Sequence, residues 1–332
     1  MHQDMSEATA GLYKRLLVWD CHAGFSPFPD LDLSFLERWL RAGVSYLCVN
    51  VGYDLVMRWD ETLRCTAHFR RWIESHPDKF LMADRIEDVR RAKAEGKLAV
   101  AFDLEGADAL DGNIEMIALY YRMGVRHMNF AYNKNNIYGG GCHDVDIPLT
   151  DLGRAAVVEM NRVGMVVDCS HTGYRTSLDI MELSQSPTIF SHSNPRTLWD
   201  HKRNIWDDQI KACARKGGVV SINGVNAFLG AATPTAELVA RNIDYVVQLV
   251  GAEHVGIGLD YVHDLSELPA IYEKHPEAWP GYTAEDMTSS RFLEPEKLPE
   301  IVDLLLAKGY TEKDIGGIAG GNLMRLAGTV WK

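Results

Sequence analysis

Short apolar runs of strand length alternate with longer segments of helical period along nearly the whole chain. Runs that are β-branched or almost continuously apolar are typical of parallel strands covered by helices on both faces. The runs are RLLVWDC (15–21), SYLCVNV (45–51), LAVAFDL (98–104), VRHMNFAY (125–132), GMVVDCS (164–170), PTIFSHS (187–193), GVVSING (218–224) and HVGIGLD (254–260). Eight strands, each followed by a crossover helix, predict an α/β fold of the (β/α)8 or TIM barrel type.

The segments between these strands carry residues typical of the start and the end of a helix. NIEMIALYYRMG (113–124) and TDLGRAAVVEMNRVG (150–164) begin at Asn or Thr and stop at Gly, which are favoured capping residues. The competing fold is an open doubly wound sheet, which would place a Gly-rich phosphate loop after the first strand. The sequence there is DCHAGF (20–25), which is not such a loop. The barrel is therefore favoured.

The domain organisation follows from length and local composition. We expect a single barrel domain over residues 1–332, a length that α/β barrels commonly reach. Residues at about 264–296 are rich in Pro and polar residues and predict a long excursion after the last strand, as a lid or an interface element. Helical period resumes at about 297–328, where we expect C-terminal helices packed against the barrel.

Composition excludes several classes of partner and location. The net charge is −12 and the pI about 5.5, which argues against nucleic acid or an anionic membrane as a partner. We find no signal peptide and no apolar stretch long enough to span a membrane. Six cysteines without a CxxC pair indicate free thiols in a reducing compartment. We therefore expect a cytoplasmic protein, and a homodimer stays open.

Polar side chains gather where the predicted strands end. In a barrel these ends meet at one mouth, where the chemistry lies. The residues are Asp20, His22, Asn50, Asp103, Glu105, Tyr132, Asn133, Asp168, His171, His192, Asn223 and Asp260. A single His after a strand is more often an ordinary loop residue than a ligand. Several His and carboxylates at separate strand ends supply the nitrogen and oxygen ligands that suit zinc, so the set predicts a metal site.

Other catalytic classes have weaker support. The chain has no GxSxG motif and no phosphate-binding loop of the GxxxxGK[ST] type. Cys142, in the Gly-rich segment YGGGCHD, stays open as a nucleophile, although no clear base is identified near it in sequence.

Several segments resemble the renal (membrane) dipeptidase family, the M19 metallopeptidases. The segments are DCH (20–22), DLEGADAL (103–110), MGVRHMNFAYNKNN (123–136), LTDLGRAAVVEMNRVGMVVDCSH (149–171), SPTIFSHSNPR (186–196), KRNIWDD (202–208), HVGIGLDY (254–261) and GYTEKDIGGIAGGNLMR (309–325). They follow the family's order over nearly the whole chain, and residues 149–196 are the most specific part. The resemblance implies a barrel of the metal-dependent hydrolase type and a zinc enzyme that cleaves dipeptides, often with a D-residue at the C-terminal side.

The resemblance also assigns roles by position. It implies that Glu105 bridges two metal ions, that His171 and His192 complete one site, and that His22 belongs to the other. Asp260 matches the acid–base residue near the scissile amide. Arg203 matches the group that pairs with the substrate carboxylate, which suits its bidentate fork. The structural alternative for Arg203 is an ion pair with Asp207 or Asp208.

Two positions depart from the family pattern. The first motif of the family is His-x-Asp, but here it reads His22-Ala23-Gly24, so one carboxylate ligand is missing. The family histidine after the fourth strand is replaced by Tyr132, with Asn133 beside it. We expect both residues to contact substrate and Tyr132 to stabilise the oxyanion by a hydrogen bond. We expect Asp20 to orient ligands by hydrogen bonds, not to bind metal directly.

The predicted function is hydrolysis of a dipeptide amide by a metal-activated water. Because Gly24 provides no ligand, we expect one firmly bound zinc ion and a second site that is weak or absent. Two alternatives remain: a hydrolase of N-acyl amino acids or other small amides, and a catalytically impaired binding protein that keeps the barrel.

Overall fold

Parallel strands form a curled wall in the computed structural model, which describes residues 7–24 and 30–332. Within these residues the strands are β1 (Trp19–Ala23), β2 (Tyr46–Tyr53), β3 (Phe80–Met82), β4 (Leu98–Glu105), β5 (Val125–Met128), β6 (Val166–Val167), β7 (Ile189–Phe190), β8 (Val219–Ile222) and β9 (Val255–Ile257). Every predicted run contains a strand. The sequence reading missed β3, whose three residues pair only with the start of β4 and are too few to show a pattern.

The strands belong to two sheets that close on each other. One sheet has the order β1-β2-β4-β5-β6, with β3 beside β4, and the other has the order β7-β8-β9. A parallel bridge between Asp168 and Ile189 joins β6 to β7. The Asp260 amide, just after β9, donates to the His22 carbonyl oxygen at 3.1 Å and joins β9 to β1. This closure confirms the TIM barrel prediction.

Helices connect the strands and cover the outside of the barrel. They are α1 (Glu7–Arg15), α2 (Glu37–Arg41), α3 (Trp59–Glu74), α4 (Ile86–Glu95), α5 (Met116–Arg122), α6 (Asp151–Val163), α7 (Tyr174–Leu183), α8 (Asp207–Arg215), α9 (Asn226–Leu229), α10 (Ala236–Val250), α11 (Leu268–Lys274), α12 (Ala284–Ser289), α13 (Leu298–Ala307), α14 (Glu312–Gly316) and α15 (Asn322–Val330). The predicted caps of α6 are confirmed. Thr150 Oγ1 accepts from the Gly153 amide at 3.1 Å, and Gly164 ends the helix with φ of 91°.

Burial explains why the central strands lack the alternation of half-exposed strands. Every residue of β4 is buried, because one face meets the helices and the other fills the barrel interior. Inward side chains such as Trp19 and Tyr46, whose ring centroids are 3.6 Å apart, pack against α15 and Trp331. The C-terminal helix therefore packs against the lower part of the barrel interior, and the polar strand ends lie at the other end.

The predicted excursion lies across the barrel mouth. It contains α11 and α12 and is tied to the strand-end loops by hydrogen bonds. Asn133 Nδ2 donates to the Ala278 carbonyl oxygen at 3.0 Å, Trp279 Nε1 donates to Tyr132 Oη at 3.0 Å, and the Leu293 amide donates to the Gly224 carbonyl oxygen at 2.9 Å. The segment thus has the placement of a lid. The division into one domain stays a prediction.

None of the helices in the described part of the chain combines the length and the apolar character needed to cross a bilayer.

Candidate metal centre and substrate pocket

Glu105, the last residue of β4, lies at the centre of the mouth. Its Oε1 atom is 2.8 Å from His171 Nε2, 3.1 Å from His192 Nε2 and 3.7 Å from His22 Nε2. All these residues are buried, and among the described residues neither Glu105 Oε1 nor His22 Nε2 has a hydrogen-bond partner. Buried polar atoms are normally paired. Unpaired nitrogen and oxygen donors that converge in this way fit a bound divalent cation.

The second nitrogen of each imidazole ring is held by a different acceptor. His171 Nδ1 donates to Asn133 Oδ1 at 2.8 Å, and His22 Nδ1 donates to Asp103 Oδ2 at 3.1 Å. Because the Ser191 hydroxyl donates to Asp168, it accepts from His192 Nδ1, at 2.6 Å. A proton on Nδ1 leaves the Nε2 lone pair directed into the centre, which is the arrangement found in metal-ligating histidines.

The electrostatics of the centre keep two of the histidines neutral. Burial and the positive charge of Arg203 hold the pKa of His171 well below its usual value, and burial with the charge of His22 does the same for His192. Neutral imidazole is the form that binds metal. Burial raises the pKa of Glu105 to about 8, with Asp260 adding to the effect and His22 opposing it. A cation bound here would stabilise the Glu105 carboxylate.

The structure brings together the four residues that the sequence predicts as metal ligands. Glu105, His171 and His192 place one donor atom each within 4.8 Å of one another, and so do His22, His192 and Asp260. The two groups share His192. Gly24, two residues after His22, faces the same space: a Cβ atom there would lie 3.8 Å from Asp260 Oδ1.

Asp260 lies beside His22 at the edge of the centre. Its Oδ1 atom lies 3.5 Å from His22 Nε2, while Oδ2 accepts from Asn223 Nδ2 at 2.8 Å. Asp260, His171 and Asn133 have φ values of 57°, 60° and 62°. Left-handed backbone is uncommon outside glycine and concentrates at functional sites. Here it turns the chain sharply just after a strand, so that the side chain points into the mouth.

Arg203 is 2% exposed, yet it lines the cavity beside the centre. Nη2 donates to the His192 carbonyl oxygen at 2.8 Å and Nη1 donates to Ser193 Oγ at 3.0 Å, whereas Nε has no partner among the described residues. The alternative of an ion pair with Asp207 or Asp208 is wrong, because Arg203 has no ion pair within the described chain. A buried guanidinium without a carboxylate partner is suited to bind one from a ligand.

Tyr132 and Asn133 both line the cavity but are engaged differently. Tyr132 Oη accepts from Trp279 Nε1, and burial together with the Glu105 charge raises the pKa of Tyr132 well above its usual value, so the hydroxyl keeps its proton for donation. The side chain of Asn133 is already bonded to His171 and to the Ala278 carbonyl. Its polar atoms therefore position a metal-site histidine, which differs from the substrate contact expected of it.

Asp20 also differs from expectation. Within the described part of the chain it forms no hydrogen bond to a histidine side chain; Oδ2 accepts from Trp39 Nε1 and Oδ1 accepts from the Leu259 amide, both at 2.9 Å. Asp20 lies deeper in the barrel, where it anchors the residue that precedes Asp260. The carboxylate that orients His22 is that of Asp103, which lies on β4 and accepts from His22 Nδ1.

Sequence reasoning gave no role to His127 on β5, which is buried between two carboxylates. Its Nδ1 lies 3.5 Å from Asp168 Oδ2 and its Nε2 3.8 Å from Asp103 Oδ2. Burial lowers the pKa of His127, but Cys48, Asp103 and Asp168 outweigh this effect and raise it well above its usual value. His127 thus lies between the two acids that contact His22 and, through Ser191, His192, while its Nε2 lies 3.1 Å from the Cys21 carbonyl oxygen. The sequence feature that could have pointed to His127 is a titratable residue inside a predicted buried strand.

Cys142 is a poor candidate for a nucleophile. Burial raises the pKa of its thiol to about 11, and Sγ donates to Asn133 Oδ1 at 3.6 Å. Because the thiolate is the reactive form, a thiol of this kind is unreactive at neutral pH.

Comparisons with known proteins identify the family. The sequence profile described as membrane dipeptidase, peptidase family M19, matches residues 30–274. The chain belongs to this family. The match covers β2 to β9 and includes Glu105, Tyr132, His171, His192, Arg203 and Asp260. It confirms the resemblance seen in the sequence.

Two curated relatives are named as dipeptidases. The chain is 30% identical over 273 residues to an uncharacterized dipeptidase of Schizosaccharomyces pombe, covering 79% of this chain and 60% of the relative. It is 28% identical over 292 residues to the dipeptidase aclJ of Aspergillus oryzae, covering 84% of this chain and 63% of the relative. The chain thus spans less than two thirds of the length of these relatives.

A solved structure is similar over nearly the whole chain. An amidohydrolase from Pseudomonas aeruginosa superposes with a TM-score of 0.89 at 25% identity, covering 97% of this chain and 99% of that protein. The likeness supports the same barrel architecture over nearly the whole chain.

Proposed function

We propose that this protein is a metal-dependent dipeptidase that hydrolyses the amide bond of a dipeptide with a free carboxylate. The observation that carries the proposal is the convergence of three histidine Nε2 atoms on an unpaired carboxylate oxygen of Glu105. A buried arginine without an acidic partner lines the cavity beside them. Membership of the membrane dipeptidase family and the names of the curated relatives support the same activity.

Zinc is the metal that we propose, held by Glu105, His171 and His192. Two imidazoles and one carboxylate leave a position open, as in hydrolytic zinc sites. When bound, zinc supplies the activation of a water molecule and the polarisation of the amide carbonyl. His22, Glu105 and Asp260 form the weaker set of a second site, because Gly24 provides no carboxylate there. One firmly bound ion is therefore proposed.

Binding, proton transfer and stabilisation of the developing charge are then the tasks of different residues of the chain. Arg203 binds the substrate carboxylate and so fixes the scissile amide above Glu105. Asp260 Oδ1 takes a proton from the attacking water and returns it to the leaving amine, while Asn223 holds Oδ2 in place. Tyr132 donates a hydrogen bond to the oxygen on which negative charge develops. The segment across the mouth limits the access of bulk water.

Hydrolysis of N-acyl amino acids is the second candidate function, and the apolar character of the cavity supports it. Its lining is mostly apolar, and Gly24 leaves room beside Asp260. A matched pair separates the two activities: leucyl-alanine, and N-(4-methylpentanoyl)-alanine, which is the same molecule without the amino group. The dipeptidase proposal predicts a clear preference for leucyl-alanine by zinc-loaded protein. Equal or better hydrolysis of the acyl compound would replace it with the second candidate.

The wider assignments remain proposals. The partner that we propose is a small dipeptide or amide. The cytoplasmic location and a homodimer stay predictions from the sequence.

A further inference from the structure

The cavity above the candidate metal centre has a polar floor and an apolar upper part. Its volume is about 120 Å³, roughly tenfold more than a single water requires. Among the described residues that line it, the charged ones are Glu105, Arg203 and Asp260, all of them at the floor. The remaining lining is largely aliphatic or aromatic: Tyr53, Val56, Val225, Phe228, Val262, Leu268, Ile271, Trp279, Tyr282, Met287 and Phe292.

The segment across the mouth supplies the apolar roof. Leu268 and Ile271 come from α11, and Met287 comes from α12. Leu268, Ile271, Trp279 and Phe292 are only partly buried, although each faces the cavity. Leaving such side chains without an apolar contact is unfavourable, and a hydrophobic ligand group would cover them.

The positions of Arg203 and Gly24 around the barrel give the substrate a direction. Arg203 follows β7, whereas Gly24 follows β1, with β8 and β9 between these two strands. A substrate whose carboxylate is held by Arg203, and whose amide lies at the centre, therefore extends its acyl side toward Gly24. A Cβ atom on Gly24 would lie 3.0 Å from Val262 Cγ2 and 3.5 Å from Tyr53 Oη, so any side chain at position 24 would press on Val262 in the wall of the cavity.

From these observations we propose that the enzyme selects substrates whose acyl side carries a bulky hydrophobic group, housed by Gly24, Val262 and the roof of α11. This inference rests on the proposed amide hydrolysis for its direction. It names a chemical class shared by dipeptides with leucine or phenylalanine at the N-terminus and by N-acyl amino acids with branched or aromatic acyl chains. An acidic group on this side would be buried without a cationic partner, which is costly.

The test compares glycyl-, leucyl-, phenylalanyl- and glutamyl-alanine, together with N-(4-methylpentanoyl)- and N-acetyl-alanine, on zinc-loaded protein. We expect kcat/KM to rise about 10- to 100-fold from glycyl- to leucyl-alanine, as burial of a leucine side chain provides. Glutamyl-alanine should be as poor as glycyl-alanine or poorer. A flat or reversed ranking with size, or equal turnover of leucyl- and glutamyl-alanine, would overturn the inference.

Two variants locate the effect. Gly24→Val should reduce the leucyl-to-glycyl ratio of kcat/KM by about 10-fold, because its side chain would crowd Val262 and narrow the cavity. Ile271→Ser should also reduce the ratio, whereas Ala270→Ser, on the same helix but outside the lining, should leave it unchanged. A ratio measured within one preparation does not depend on the folded fraction. Unchanged ratios in both Gly24→Val and Ile271→Ser would overturn the assignment.

Binding separates this inference from the proposed reaction. The same compounds are titrated into the zinc-loaded protein and binding is measured by calorimetry. For any compound that the wild-type protein hydrolyses, the titration uses the Asp260→Asn variant instead. If no compound is hydrolysed but affinity still rises with the apolar acyl group, the proposed function fails and the inference stands. If compounds are hydrolysed without that rise in affinity or in kcat/KM, the inference fails and the function stands.

Discussion

At the scale of single residues, the centre depends on which ring nitrogen of each histidine carries the proton. Asn133, Asp103 and Ser191 each engage a Nδ1 atom, so the three Nε2 atoms face Glu105. Replacing a histidine removes a ligand, whereas replacing an orienting residue leaves the ligand with the wrong tautomer or direction. The two kinds of substitution should therefore weaken metal binding to different degrees.

Removal of a proposed ligand should abolish tight zinc binding. We expect His171→Ala and His192→Ala to lose most of their bound metal, because each leaves the centre one donor short. Elemental analysis of purified protein measures the metal content. His254→Ala is the matched control, since His254 bonds only to the Gly218 carbonyl among the described partners and lies away from the mouth. Full metal content in both ligand variants would show that the ligands are assigned wrongly.

Loss of the Arg203 guanidinium should affect only substrates with a free carboxylate. Arg203→Met is expected to raise KM strongly for dipeptides and much less for their C-terminal amides, because the amides have no charge for the guanidinium to pair with. Steady-state kinetics on leucyl-alanine and its amide measure the two effects. Circular dichroism verifies folding, which matters for a residue that is 2% exposed. An equal effect on both substrates would count against carboxylate binding.

The buried His127 should matter without touching the metal. His127→Gln removes the ring that lies between Asp103 and Asp168, and we expect zinc affinity or kcat/KM to fall about 10- to 100-fold, as for other partners of metal ligands. Competition with a chelator measures the affinity, and thermal unfolding of the zinc-free variants separates this effect from a general loss of stability. Unchanged affinity and turnover would mean that the linkage has no functional effect.

At the scale of elements, the ends of the strands determine what the mouth contains. β4 ends at Glu105, His22 lies near the end of β1, and the other proposed ligands follow β6, β7 and β9 within a few residues. Left-handed backbone at His171 and Asp260 turns the chain where the strand pattern stops. The end of β1 is the exception, because Gly24 occupies the place of a ligand.

Restoring a carboxylate at the end of β1 should strengthen the second site. We expect metal-free wild-type protein to bind one tight equivalent of zinc and Gly24→Asp to bind a second with higher affinity than wild type. A Cβ atom at position 24 approaches Val262 Cγ2 to 3.0 Å, so Gly24→Asp combined with Val262→Ala is the variant with space for it. Gly24→Asn controls for bulk without charge. Two equally tight equivalents in the wild-type protein would refute the single-ion prediction.

The elements that could be predicted from the sequence are those with a clear local signal in their own residues. Strands such as β4 could be found because both of their faces are buried. Helix ends such as Gly164 could be found because a position with left-handed backbone favours glycine. The residues that converge on Glu105 could be found because the strand ends of a barrel share one edge. The pairing of Asp103 with His22, and not of Asp20, depends on depth within the barrel and on neighbouring strands, which one sequence does not encode locally.

At the scale of the whole molecule, the two ends of the barrel have separate roles. The C-terminal helix α15 packs with the apolar residues of the lower interior, where Trp19 and Tyr46 are buried. The opposite end collects the polar residues and is covered by the segment with α11 and α12. The apolar packing of α15 thus lies at one end and the residues proposed for catalysis at the other, as is usual for barrel enzymes.

The central claim is that hydrolysis of a dipeptide requires a metal ion at Glu105, His171 and His192. The most direct measurement is turnover of leucyl-alanine by chelator-treated protein during stepwise addition of zinc. We expect no activity without metal, full activity near the first equivalent of zinc, and no such recovery in His171→Ala. Metal-free protein that keeps full activity, or zinc-loaded protein that cleaves no dipeptide, would contradict it.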